Sequence, residues 1–129
     1  MTRSVLIIDD DAEFRRSVRA ALESAAFSVQ EAASAEEAIS CLEREEVRVA
    51  LVDLDLPHMN GFDLIRVICR RFPAVSVVAT SGIYQELYLE IARNVGASVA
   101  VRKFPEGAPL PPNEWIRLIS SAAGGSAGA

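Results

Sequence analysis

Five short strand-like runs divide the chain, at residues 5–8, 27–31, 47–52, 75–80 and 99–101. The first, Val5-Leu6-Ile7-Ile8, is wholly apolar, which suits a strand covered on both faces. Between the runs lie longer stretches whose apolar residues recur at helical spacing. In the first of them Phe14, Val18, Ala21, Leu22 and Ala25 do so, with Arg15, Arg16, Arg19 and Glu23 interleaved. This alternation predicts βα units in series, and so an α/β fold: a five-stranded parallel sheet with helices on both faces. In such doubly wound sheets ligands bind beyond the carboxyl ends of the strands, where the strand order reverses.

The punctuation agrees with that pattern. Asp11 is placed to cap the first helix. Ser34-Ala35-Glu36-Glu37 reads as a capping box, with Ser34 as N-cap and Glu37 at N3, ahead of a helix carrying Ala38, Ile39 and Leu42 on one side. After Pro57 and Gly61, a third helix is expected to bury Phe62, Ile65, Ile68 and Phe72, and Pro73 to stop it. Residues 85–95 predict a fourth helix, closed by Gly96. Pro111-Pro112 opens a last helix with Trp115, Leu118 and Ile119 on its packing face. One domain is expected over residues 1–122, with a flexible Gly/Ala/Ser tail at 123–129.

Charge and composition narrow the function classes. The net charge of −5, from 13 basic and 18 acidic residues, argues against a nucleic-acid-binding surface across the domain. Cys41 and Cys69 fall in helix-like stretches and are expected as free, mostly buried thiols. Met1-Thr2-Arg3-Ser4 leads straight into the first apolar run, so no signal peptide is expected, and that run is too short to span a membrane. A cytoplasmic protein follows, with neither membrane nor nucleic acid as direct partner.

The chemistry-bearing residues stand at the strand ends. The first strand ends in Asp9 and Asp10, the third in Asp53, the fourth in Ser81 and the fifth before Lys103. Three carboxylates gathered at one edge repel one another, at up to ~4 kcal/mol per close pair for an effective dielectric near ~20. A divalent cation relieves that repulsion, and an all-oxygen ligand set favours Mg²⁺ or Mn²⁺ over zinc. Such a site is suited to receive a phosphoryl group, with a carboxylate as nucleophile and metal and lysine neutralising charge. His58, beside Pro57, reads as a solvated loop residue, and Trp115 as core packing.

At this point the sequence resembles the receiver domains of two-component response regulators. The resemblance is carried by residues 5–11 (Val5-Leu6-Ile7-Ile8-Asp9-Asp10-Asp11) and by Leu51-Val52-Asp53-Leu54-Asp55-Leu56-Pro57-His58-Met59-Asn60-Gly61. It extends through Val77-Val78-Ala79-Thr80-Ser81-Gly82, Val95-Gly96-Ala97-Ser98 and Lys103. It implies a flavodoxin-like (βα)₅ fold in which Asp53 is the phosphoacceptor. It implies Asp10 as a direct Mg²⁺ ligand, Asp9 as a water-mediated one, and the backbone carbonyl of Asp55 as a further ligand. Ser81 matches the switch hydroxyl, chosen over Thr80 by the spacing to Pro57, Gly96 and Lys103, and Lys103 matches the lysine that pairs with the phosphoryl group. A sensor histidine kinase or histidine phosphotransfer protein is the implied donor. The domain itself would catalyse the transfer and its own dephosphorylation. A downstream protein would read the face of the fourth helix, fifth strand and last helix.

Three positions depart from the family pattern. Lys103-Phe104-Pro105 stands where Lys-Pro is usual, so the loop must position Lys103 another way. Ala100 replaces the aromatic expected three residues before the lysine, with Tyr84 or Tyr88 as substitutes, although helical spacing reads both as half-buried packing residues. Asp55 is acidic, and its side chain is expected to face the site and alter phosphoryl lifetime. Two alternatives share some of the motifs. Asp53-Leu54-Asp55 is also the Asp-x-Asp of haloacid-dehalogenase-like phosphohydrolases, and the departures suit a receiver-like docking module that is not phosphorylated.

Overall fold

The computed structural model describes residues 3–82 and 86–124. Along the chain run β1 (Ser4–Ile8), α1 (Ala12–Ser24), β2 (Ser28–Ala32), α2 (Ala35–Arg44), β3 (Val49–Asp53) and α3 (Gly61–Arg71). They are followed by β4 (Ser76–Ser81), α4 (Glu86–Val95), β5 (Val99–Arg102), a 3₁₀ turn (Pro105–Gly107) and α5 (Pro112–Ala122). All neighbouring strands pair in parallel, in the order β2-β1-β3-β4-β5. This is the doubly wound, flavodoxin-like arrangement, and the order reverses between β1 and β3. Ile8 lies opposite Val52, so Asp9 and Asp53 leave the sheet side by side at that switch point.

Period-two alternation splits the sheet between two cores. Leu6, Ile8, Ala50, Val52, Val77 and Ala79 pack against α2, α3 and α4. Val5, Ile7, Val49, Leu51 and Val78 pack against Val18 and Leu22 of α1 and Trp115, Leu118 and Ile119 of α5. The helix caps expected from sequence form. Asp11 accepts the N–H groups of Glu13 and Phe14 at 2.9 and 3.2 Å. Ser34 accepts the Glu37 N–H at 3.2 Å, while Glu37 reaches one residue further back, to the Ala33 N–H at 2.8 Å. Asn60, not singled out in the sequence, caps α3 by accepting from Phe62 and Asp63.

Some packing expectations are corrected. Phe62 and Phe72 were expected inside, but both are half-buried, and Leu64 joins Ile65 and Ile68 in the core instead. The phenylalanines lie at the margins of the apolar stripe. Phe62 meets Tyr88 of α4 edge-on at 5.6 Å, and Phe72 carries the Arg71 guanidinium at 5.1 Å. Cys41 is buried, whereas Cys69 is only partly so. Cys69 backs onto Gly96, where an added Cβ would sit 2.5 Å from its Sγ; Gly96 also takes φ +131°, a region suited to glycine. Tyr88 is half-buried as expected; Tyr84, the expected start of α4 at Gln85 and most of the tail lie outside the described residues.

Candidate functional site

Two strand ends close in the same way. Asp9 Oδ1 accepts the Asp11 N–H at 2.9 Å, and Asp53 Oδ1 accepts the Asp55 N–H at 3.0 Å. These Asx turns occupy one oxygen of each carboxylate and fix where the other faces. Lys103 Nζ stands 2.6 Å from Asp9 Oδ2 and 3.5 Å from Asp53 Oδ2. All three side chains are withdrawn from water: Asp9 is 1% exposed, Asp53 2% and Lys103 8%. Asp10 is exposed at the rim.

Backbone contacts hold the arrangement. The Lys103 N–H donates to the Ser81 carbonyl at 2.9 Å, and the Leu54 N–H to the Thr80 carbonyl at 2.8 Å. Lys103 therefore reaches the site through the β4–β5 ladder although Phe104 follows it. Phe104 itself is 45% exposed and turned outward. At Gly61 an added Cβ would lie 2.5 Å from both the Asp53 carbonyl oxygen and Leu54 Cα. Only a glycine lets the first turn of α3 press this closely on the loop that follows Asp53.

Two α1 side chains that the sequence reading left unassigned complete the surroundings. Lys103 Nζ lies 4.6 Å from the centre of the Phe14 ring, a cation–π contact, and Phe14 meets Trp115 edge-on at 5.6 Å. Arg15 donates to the Asp9 carbonyl at 2.7 Å while its Nε is paired with Glu31 at 2.8 Å. Helical spacing marks Phe14 only as a packing residue and Arg15 only as polar; neither signal points at a strand end.

Electrostatics follow from burial. Loss of water pushes the Asp53 carboxyl up to about 6; the Asp55 N–H bond opposes this, the Asp9 charge adds to it, Lys103 opposes it and the Asp55 charge adds again. Burial works against the charge on Lys103, but Asp9 and Asp53 outweigh it and raise its pKa. Asp55 turns its half-buried carboxylate toward β4, where Oδ2 accepts from Ser81 Oγ at 3.1 Å and the Gly82 N–H at 3.2 Å. Ala100 is buried and helps line a shallow concavity of about 270 Å³ between α4, β5 and α5. His58 is exposed in its loop, and Trp115 is buried in the core, as expected.

The donor set fits a hard divalent cation. Asp9, Asp10 and Asp53 each offer a carboxylate oxygen, all within 4.8 Å of one another. Asp9 Oδ2 is buried and accepts no well-directed hydrogen bond, even with Lys103 beside it. A cluster of oxygens with one face open to solvent suits an ion that keeps part of its water shell.

The fold and this acidic edge define a doubly wound α/β domain with its polar groups gathered at the switch point of the sheet. A response regulator receiver domain model matches residues 5–108, and the chain belongs to that family. It is 32% identical over 118 residues to an uncharacterized 14.6 kDa protein in the sodA1 3′ region of Leptolyngbya boryana, covering 89% of this chain and 86% of that one. It is 26% identical to the chemotaxis protein CheY of Thermotoga maritima, covering 93% of this chain and 97% of that one. A receiver domain protein (CheY-like) from Methanospirillum hungatei superposes with a TM-score of 0.85 at 26% identity, covering 95% of this chain and 94% of that one. The C4-dicarboxylate transport regulator DctD of Rhizobium meliloti, 34% identical over 61% of this chain, is much longer, and the match spans 17% of it. Receiver domains interact with histidine kinases and phosphotransfer proteins and typically bind Mg²⁺ at an acidic pocket of this kind. Family membership sets aside the phosphohydrolase that Asp53-Leu54-Asp55 alone also suggests. No helix among the described residues is long and apolar enough to cross a membrane.

Proposed function

We propose that this receiver domain is switched by phosphorylation of Asp53. The observation that carries the reading is the Asp53 carboxylate, buried at the switch point with Lys103 Nζ 3.5 Å from its free oxygen. Near neutral pH Asp53 is largely ionised, since its pKa of about 6 lies below 7. An Asp53 oxygen attacks the phosphorus of a phosphohistidine on a kinase or phosphotransfer protein. The new O–P bond forms as the P–N bond breaks, and the freed imidazole takes up a proton. Lys103 neutralises charge on the transferred group, and Ser81 Oγ and the Gly82 N–H offer donors to its oxygens. Asp9, Asp10, Asp53 and the backbone carbonyl of Asp55 would hold Mg²⁺ or Mn²⁺, which offsets phosphoryl charge when bound. Dephosphorylation is attack of water on the same phosphorus, breaking the O–P bond. The domain spans residues 1–122 with 123–129 as a tail, acts in the cytoplasm without binding nucleic acid, and presents α4, β5 and α5 to a downstream protein.

Acetyl phosphate tests the reading. With Mg²⁺, intact-protein mass should rise by one phosphoryl group, and the gain should disappear in Asp53→Asn and on chelation of the metal. No gain in the wild type, or a gain that survives Asp53→Asn, overturns it.

A further inference from the structure

Asp55 commits one carboxylate oxygen to two donors at the end of β4, close enough to Asp53 for its charge to be felt there. Its backbone N–H is held by Asp53 Oδ1 at 3.0 Å, which fixes the turn. From that turn its half-buried carboxylate crosses to the end of β4. There one oxygen, Oδ2, accepts both the Ser81 hydroxyl at 3.1 Å and the Gly82 N–H at 3.2 Å. An O–H and an N–H converging on a single anionic oxygen make a charge-assisted cradle. Thr80 lies opposite Asp53 in the sheet, so Ser81 and Gly82 continue past it toward the edge where a group on Asp53 would project. Gly82 also borders Lys103, whose side chain would lie 4.0 Å from a Cβ added there.

We infer that Asp55 is a resident stand-in for a phosphoryl oxygen, and that it sets how tightly Asp53 takes a phosphoryl-like anion. The inference rests on the reading of Asp53 as phosphoacceptor. Oxygens of a phosphoryl group on Asp53 and the Asp55 carboxylate carry like charge and need the same two donors. Both cannot hold them, so the group that arrives must displace the one already there. In its resting position Asp55 ties the β3–α3 loop to the end of β4. Its release on phosphorylation removes that side-chain link, while the Leu54 N–H to Thr80 carbonyl bond at the base of the loop remains. That exchange provides a conformational signal that does not pass through position 100, where alanine stands.

Beryllofluoride, a phosphoryl mimic that binds without a covalent transfer, gives an equilibrium measurement. Its affinity is read by ¹⁹F NMR at saturating Mg²⁺ for the wild type, Asp55→Ala, Asp55→Asn, Ser81→Ala and the Asp55→Ala/Ser81→Ala double variant. Both Asp55 variants keep the backbone carbonyl, and thermal melts confirm that each is folded. Asp55→Ala and Asp55→Asn should bind about tenfold more tightly than the wild type, the scale of one charge-assisted hydrogen bond. The gain from Asp55→Ala should shrink at least about threefold in the Ser81→Ala background, because one disputed donor is then missing. Unchanged or weaker binding in both Asp55 variants overturns the inference. So does an equal gain with and without the Ser81 hydroxyl, which would mark a general charge effect. In either case, beryllofluoride binding that still depends on Asp53 leaves the phosphoacceptor reading standing. Failure of every variant, wild type included, to bind beryllofluoride or take a phosphoryl group from acetyl phosphate overturns both.

Discussion

A carboxylate stripped of water and set beside a second one keeps its proton longer than in the unfolded chain. Asp53 does so, with its pKa pushed up to about 6 from an ordinary value of 3.8. Between those values the folded state binds more protons than the unfolded one, so stability falls as pH rises, and above about 6 the full penalty is present. Without divalent cation, Asp53→Asn should therefore be more stable than the wild type near neutral pH, by about 1–2 kcal/mol after allowance for solvent screening. The difference should shrink as pH falls below about 6 and vanish near pH ~3, below both values, where the carboxyl is protonated in both states. Lys103 lies 2.6 Å from Asp9 as well, so its charge has a partner that the substitution leaves in place. Saturating Mg²⁺ should reverse the order, stabilising the wild type and leaving Asp53→Asn nearly unmoved. Urea titrations at both pH values, with chelator and with Mg²⁺, check all three outcomes. The carboxylates themselves were legible in the sequence because each ends a strand. The direction of the Asp55 side chain was legible only in part. Sequence places it near the site, but its capture by Ser81 and Gly82 depends on a turn fixed by the Asp53 side chain.

Elements set the tolerances within which those residues work. The start of α3 lies so close to the end of β3 that a methyl group at position 61 would come within 2.5 Å of backbone. Backbone cannot rotate away as a side chain can. Gly61→Ala should cost about 2–4 kcal/mol in chemical denaturation and slow acetyl-phosphate labelling of Asp53, since relief requires the loop that follows Asp53 to move. Spacing in the sequence located this helix and its stop, and it identified Ile65 and Ile68 as core. It misplaced Phe62 and Phe72 because both stand at the edges of the apolar stripe, where a neighbouring helix decides burial. Phe62 finds its neighbour in Tyr88, a contact no periodicity within α3 could show. Phe14 and Arg15 escaped for a related reason. Their role comes from the crossing of α1 past the strand ends, which is tertiary geometry.

At the scale of the molecule, the order β2-β1-β3-β4-β5 brings residues from both ends of the chain to one edge. That order was implied by the family resemblance; βα alternation by itself leaves the strand sequence in the sheet open. The same winding places α1 and α5 together on one face, and their contact includes Phe14 and Trp115. Trp115 is the chain's single tryptophan, and it touches the ring over which the Lys103 ammonium rests. If a phosphoryl group forms on Asp53 as proposed, its charge should draw that ammonium toward itself and off the ring. Acetyl phosphate with Mg²⁺ should therefore shift Trp115 emission in the wild type and leave it unchanged in Phe14→Leu, while mass spectrometry still shows the label on both. The indole is a built-in optical gauge of the lysine, readable in real time without any dye attached to the protein.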